Sequence, residues 1–254
     1  MDSLLIFDIK GPMAHFRPFY TNSSSLSYGF PPRTVLMGLI AGILGLDRDT
    51  YYEEFSCMNC KIALSLRSSF RKILQRVNYV QTDEEKYVNL SGGRTQIPLE
   101  ILLPPAGKEF LVYRIYFYHP AFQQKLLELL KDKKVFYPPY LGLSEFLATV
   151  ELQDLIDGKN IIEKEGNNEC IELATVVPVH LLPEGGLCFE EGKQYIKEFM
   201  PVEFSPDRKA RTANFLYEKS TGLLRAKIRG CYYEIYYRCG LEEGEITENI
   251  VFLE

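Results

Sequence analysis

Arginine supplies most of the chemistry this 254-residue sequence offers. Between Glu54 and Asp83 the chain carries Lys61, Arg67, Arg71, Lys72 and Arg76 with no acid among them, and Arg17, Arg33 and Arg94 flank the run. The segment 13–30, MAHFRPFYTNSSSLSYGF, sets Arg17, Asn22, Ser24 and Ser25 among five aromatic residues. Guanidinium groups clamp phosphate oxygens and aromatic faces stack on unpaired bases. Small polar side chains bond base edges and 2′-hydroxyls. Residues of these types fit a single-stranded nucleic acid. The competing reading is a set of solvated basic faces and a charge-defended edge hairpin.

Metal and nucleophile chemistry find less support. Cys57 and Cys60 form one CxxC with no second pair or nearby histidine, so no zinc site is expected. The six cysteines, Cys170, Cys188, Cys231 and Cys239 included, are expected as reduced thiols. His15, His119 and His180 show no ligand spacing. Phosphate-loop, dinucleotide and zinc-protease motifs are absent, so no cofactor is expected.

The elements that would position these side chains can be read in order. Residues 3–9 make a buried strand ended by Gly11-Pro12. Tandem prolines open a helix over 31–45, with Thr34 as a capping residue and Gly45 as its stop. Gly38 and Gly42 give this helix a flat face for packing on a sheet, and nearly all of it should be buried. Arg33 sits at its positive end, where a phosphate would satisfy both the free amides and the guanidinium; a local carboxylate is the alternative. Alternation over 61–81, the turn DEEK, SGG at 91–93 and a returning strand at 94–103 read as a long hairpin, basic along one arm, with Tyr79 and Tyr87 near its tip. A strand at 109–118, a helix after His119-Pro120 and a strand near 146–156 follow. The expected fold class is α+β: a ferredoxin-like (RNA-recognition-like) βαββαβ domain over 1–156, with a protruding thumb hairpin at about 69–103. A smaller β-rich C-terminal lobe is expected over 157–254.

The net charge of −5 speaks against a nucleic-acid partner until it is divided along the chain. Residues 1–82 carry +3 and 205–233 carry +5, while 151–183, 184–204 and 234–254 carry −5, −3 and −5. The acidic stretches are expected to face solvent or basic proteins. The longest apolar run, Val35 to Leu46, is too short to span a bilayer, and the N-terminus lacks a basic leader, so a cytoplasmic protein is expected.

Five pieces in order now resemble a known family: GPMAHFR at 11–17, YTNSSS at 20–25, FPPRT at 30–34, RTQIP at 94–98 and YLGLSEF at 140–146. They are similar to the fifth family of CRISPR-associated (Cas) proteins, in the RAMP superfamily, and most to its type I-B branch. The resemblance covers residues 3–156 well and the remainder loosely. It implies a subunit of Cascade that caps the 5′ handle of crRNA beside the backbone and large subunits, with target DNA nearby only inside the complex. On that reading Arg17, Asn22, Ser24, Ser25, Arg33, Thr34, Arg71, Arg76, Arg94, Thr95 and Gln96 are the expected handle contacts. Some relatives are metal-independent endoribonucleases. An enzyme of that kind would draw its acid and base from His119, with Lys108 and Tyr116. The expectation is a non-catalytic binding subunit.

Overall fold

The computed structural model describes residues 1–21, 25–80, 82, 84–89, 91–220, 222–239 and 244–254. A four-stranded antiparallel sheet stands at its centre. It is built from β1 (Ser3–Gly11), β2 (Lys61–Leu66), β5 (Leu111–Tyr118) and β6 (Thr149–Asp157), in the order β2-β5-β1-β6. The unbroken apolar run of β1 reflects burial on both faces. Leu5, Phe7 and Ile9 point to one side, where α1 (Arg33–Leu44) and α3 (Gln123–Lys131) supply Leu36, Met37, Ile40, Leu126 and Leu130. Leu4 and Ile6 point to the other, against Ile235, Tyr237, Ile250 and Phe252.

Between β2 and β5 the chain leaves the sheet as a hairpin of β3 (Arg71–Tyr79) and β4 (Thr95–Leu103), with a one-turn helix α2 (Glu85–Val88) near its tip. The alternating stretch expected at 61–81 thus divides into two strands of different sheets. Phe70, buried at the break, places its ring 6.5 Å from that of Tyr217.

The C-terminal region is rich in strands. β13 (Cys231–Tyr237) lies between β14 (Ile246–Ile250) and β7 (Ile161–Glu165). β10 (Tyr195–Phe204) and β11 (Ala210–Glu218) join β9 (Val177–Pro178), and β12 (Leu224–Ala226) pairs with β8 (Ile171–Leu173). Leu173, Val177, Leu224, Ala226, Ile228 and Val251 make a local apolar cluster here. Met200, Val202, Phe215 and Tyr217 enter the main core beside α1, so packing crosses the division at residue 156.

Three local expectations are corrected. Pro32 occupies the N-cap of α1 with no side-chain bond, so Thr34 does not cap it. Gly38 and Gly42 are half-buried and border a groove with Tyr51, Tyr137 and Pro139 instead of packing on the sheet. Cys170 and Cys188, 18 residues apart, form a disulfide where two thiols were expected; β12 binds both β8 and the loop carrying Cys188, and so draws the pair together.

Candidate nucleic-acid interface

The register of the hairpin assigns its faces. Arg76 lies opposite Pro98, Asn78 opposite Gln96, and Lys72 opposite Leu102, which puts Lys72, Arg76, Asn78 and Gln96 on one face. Arg71, Ile73, Val77, Ile97 and Thr95 belong to the other. Ala14 and Ser25, on either side of the loop, lie along the remaining edge of β4. Ala14 exchanges both backbone bonds with Leu102 at 3.1 and 2.8 Å, and the Glu100 amide donates to the Ser25 carbonyl at 2.8 Å.

Side chains lock this loop to the hairpin. His15 donates from Nδ1 to the Glu100 carbonyl at 2.7 Å and accepts from the Ser25 hydroxyl at Nε2 over 3.1 Å. Burial lowers the pKa of His15 below its ordinary value and so favours the neutral ring these bonds require. The Glu100 carboxylate accepts from the Ser27 amide at 2.8 Å and pairs with Lys72 at 3.1 Å, while Lys72 donates to the Ser27 carbonyl at 2.6 Å. Gly142 closes the far side. With φ at 90° and an ideal Cβ position 1.7 Å from the His15 carbonyl oxygen, no other residue fits there. The GPMAHFR and YLGLSEF pieces therefore meet in space.

The expected contact residues do not share one surface. Arg76, Arg94 and Gln96 are exposed, and neither arginine has an acidic partner among the described residues. Arg17 is exposed on the loop, where its Nη2 donates to the Thr21 carbonyl at 2.9 Å. Arg71 is exposed on the opposite hairpin face, donating from Nε to the Pro104 carbonyl at 3.2 Å; Thr95, also on that face, is half-buried. Thr34 is half-buried in the first turn of α1, and Ser25 is buried with its hydroxyl committed to His15. Asn22 and Ser24 lie outside the described residues.

Arg33 is a correction. It is 1% exposed, and its guanidinium donates to the Cys60 carbonyl at 2.7 Å and the Val202 carbonyl at 3.3 Å. The guanidinium ties α1 to the loop before β2 and to β10, and no phosphate reaches it. An open helix end would offer an anion site; β10, from far along the chain, covers this one.

The residues named for ribonuclease chemistry are not brought together. His119 is 2% exposed and points to the helix side of the sheet, stacked near Phe55, Phe117 and Phe122. Its Nε2 donates to the Glu54 carbonyl at 3.0 Å, and its Nδ1 accepts from the Ala121 and Phe122 amides at 3.0 and 3.2 Å. Both nitrogens are thus occupied in a neutral ring, and burial lowers the pKa. Tyr116 projects from the other face of β5, where its hydroxyl donates to Glu248 at 2.5 Å. Lys108 is exposed on the β4–β5 loop. Among the described residues no three His, Cys, Asp or Glu side chains converge as a metal site.

The segmental charge pattern is largely neutralised by the fold. Lys61 pairs with Glu254 at 2.6 Å, and Arg67 is bound by Glu248 at 2.6 Å and by the Tyr116 and Tyr237 hydroxyls. The acidic C-terminal stretch thereby neutralises part of the first basic block instead of facing outward. Arg208 pairs with Asp49, Arg211 with Glu203 at 2.7 Å, and Lys209 with Asp207 at 2.5 Å. What remains unpaired of the basic run is concentrated on the hairpin.

Sequence reasoning overlooked an aromatic patch beside the loop. Phe19 and Tyr20 are each 55% exposed, with ring centroids 5.3 Å apart, and Phe199 of β10, 41% exposed, stands 5.8 Å from Phe19. The Tyr28 hydroxyl donates to the Phe199 carbonyl at 2.7 Å and fixes strand and loop together. The aromatics of 13–30 were visible in the sequence, but nothing there paired them with Phe199, 180 positions downstream of Phe19. Exposed rings of this kind can hold splayed bases by stacking.

The sequence model of the family described as CRISPR-associated protein (Cas_Cas5) matches residues 4–214. Among solved structures the chain is similar to a CRISPR protein from Archaeoglobus fulgidus, with a TM-score of 0.55 and 16% identity over 94% of this chain and 100% of that one. It is also similar to a chain of a CRISPR RNA-guided surveillance complex, with a TM-score of 0.49 and 12% identity over 89% and 91% of the two chains. No curated protein matches the sequence.

Proposed function

The chain belongs to the CRISPR-associated protein family Cas_Cas5, and from that premise we propose that it is a non-catalytic RNA-binding subunit of a type I-B Cascade complex that caps the 5′ handle of crRNA. The observation that carries this reading is the exposed basic hairpin, with Arg76 and Gln96 on one face and Arg94 just before β4. The patch of Phe19, Tyr20 and Phe199 on the adjoining loop and strand adds stacking surface. The four-stranded unit with its two crossover helices reads as the ferredoxin-like RAMP domain, and β3–β4 as its thumb. Single-stranded RNA suits such a surface, because its unpaired bases are free to stack while phosphates meet the arginines. The internal bonds of His15 and His119 support a binding role over cleavage.

The test is RNA binding by fluorescence anisotropy with an Arg76→Ala/Arg94→Ala variant. Each lost phosphate contact should lower the slope of log affinity against log salt by about 0.7, so by about 1.4 for the pair, with an unchanged melting temperature. An unchanged slope would remove the hairpin face from the interface.

A further inference from the structure

The two edges of the central sheet are treated differently. The outer edge of β2 is occupied: the Val176 amide donates to the Leu64 carbonyl and the Leu253 amide to the Ile62 carbonyl, both at 2.8 Å. β6 is the opposite edge and pairs only with β1 among the described residues. Its later half is covered, since the Arg238 amide donates to Asp154 at 3.0 Å and the Cys239 thiol to Gln153 at 2.8 Å. From Thr149 to Leu152 no backbone bond on the outer side is made among the described residues. Alternate residues there direct an N–H and a C=O outward, ready to pair with another strand.

This open segment forms one wall of a groove of about 770 Å³. Its apolar lining comes from Leu130, Val135, Val150 and Leu152, and its far rim from the end of α3. Lys131 and Lys133 on that rim are exposed without an acidic partner among the described residues, whereas Lys134 pairs with Asp132 at 2.9 Å and Lys10 with Glu151. Edge strands that must stay solitary are blunted by proline, a bulge or inward charge. Residues 149–152 have no proline, and the bulge of β6 falls later, where Ile6 and Phe7 face Asp154 and Leu152.

We propose that the Thr149–Leu152 edge and the lysine rim of α3 dock an extended segment of a partner protein that carries apolar and acidic side chains on one face, at every second position along it. The segment adds a strand to β6. Val150 and Leu152 lie opposite Ile9 and Phe7 on the helix side, so the segment's residues on that side set apolar groups on Val150 and Leu152 and carboxylates on Lys131 and Lys133. The surface is separate from the hairpin and loop, so this docking does not depend on RNA binding.

The test is hydrogen–deuterium exchange on the intact chain. The probe is a blocked ten-residue peptide in which Val and Glu take turns at every second position with Thr between them, at millimolar concentration, with oligouridylate as the nucleic-acid arm. The peptide should slow exchange within Thr149–Leu152, and Lys131→Glu/Lys133→Glu should weaken its binding about tenfold at low salt without changing RNA affinity. The proposal is overturned if the peptide leaves these amides unprotected, if protection is indifferent to the double charge reversal, or if oligouridylate alone protects them.

Discussion

Replacing Arg33 separates a structural arginine from a ligand-binding one. The side chain is 1% exposed and bridges the Cys60 and Val202 carbonyls at 2.7 and 3.3 Å. Arg33→Ala strands two buried acceptors, at about 1–3 kcal/mol each, and opens a cavity beside Met37. Relief of the desolvated charge offsets part of this, which leaves a net loss of about 3 kcal/mol. For a chain of this length that is a fall of about 6–12 °C in melting temperature. Arg33→Lys keeps the charge but not the planar fork that spans two carbonyls, so it should also destabilise. Both variants should hold RNA normally at temperatures where they remain folded. The assay is thermal unfolding by circular dichroism alongside RNA anisotropy at 15–20 °C. An unchanged midpoint for Arg33→Ala with lost RNA affinity, restored by lysine, would refute the reasoning and return Arg33 to the interface.

Three further outcomes follow from the same geometry. Phe19→Ala and Tyr20→Ala should each weaken single-stranded RNA binding by about 1–3 kcal/mol in anisotropy titrations, with little effect on stability because both rings are exposed. Burial raises the Glu198 pKa to about 7 even though the Gly29 amide donates to both carboxylate oxygens. An acid raised in the folded state holds its proton while the unfolded chain releases it, so stability is lost as pH climbs from about 4.5 through about 7. The unfolding free energy of Glu198→Gln minus that of the parent should therefore rise across this window in denaturant titrations, and a constant difference would discount the shift. Purified protein should leave CRISPR repeat RNA intact in EDTA on denaturing gels, and His119→Ala should lower the melting temperature through the loss of its bonds to Ala121 and Phe122; specific cleavage that disappears in His119→Ala would reverse the binding-only reading.

Local pattern carried much of this molecule. The unbroken apolar run of β1, the leucine stripe of α3 and the hairpin between 71 and 103 follow from periodicity and turn residues, because neighbours in sequence decide them. What sequence left hidden depends on distant segments. Arg33 is buried by β10, Arg67 is neutralised by Glu248, and Phe19 gains Phe199, each through a contact spanning more than 160 residues. Of the basic run between Glu54 and Asp83, Arg71 and Arg76 on the hairpin keep no acidic partner among the described residues, while Lys61, Arg67 and Lys72 are paired. Capping of α1 departs from the Thr34 expectation for a different reason: Pro32 occupies the cap position itself, and its extended φ and ψ start the helix without a side-chain acceptor.

The most direct test of the RNA-binding account is ultraviolet crosslinking of the assembled ribonucleoprotein, followed by mass spectrometry of nucleotide-bearing peptides. Crosslinks from crRNA are expected at the peptide holding Phe19 and Tyr20 and at the hairpin peptides carrying Arg76, Arg94 and Gln96. Crosslinks confined to other surfaces of this chain, or their absence while neighbouring subunits crosslink efficiently, would contradict it.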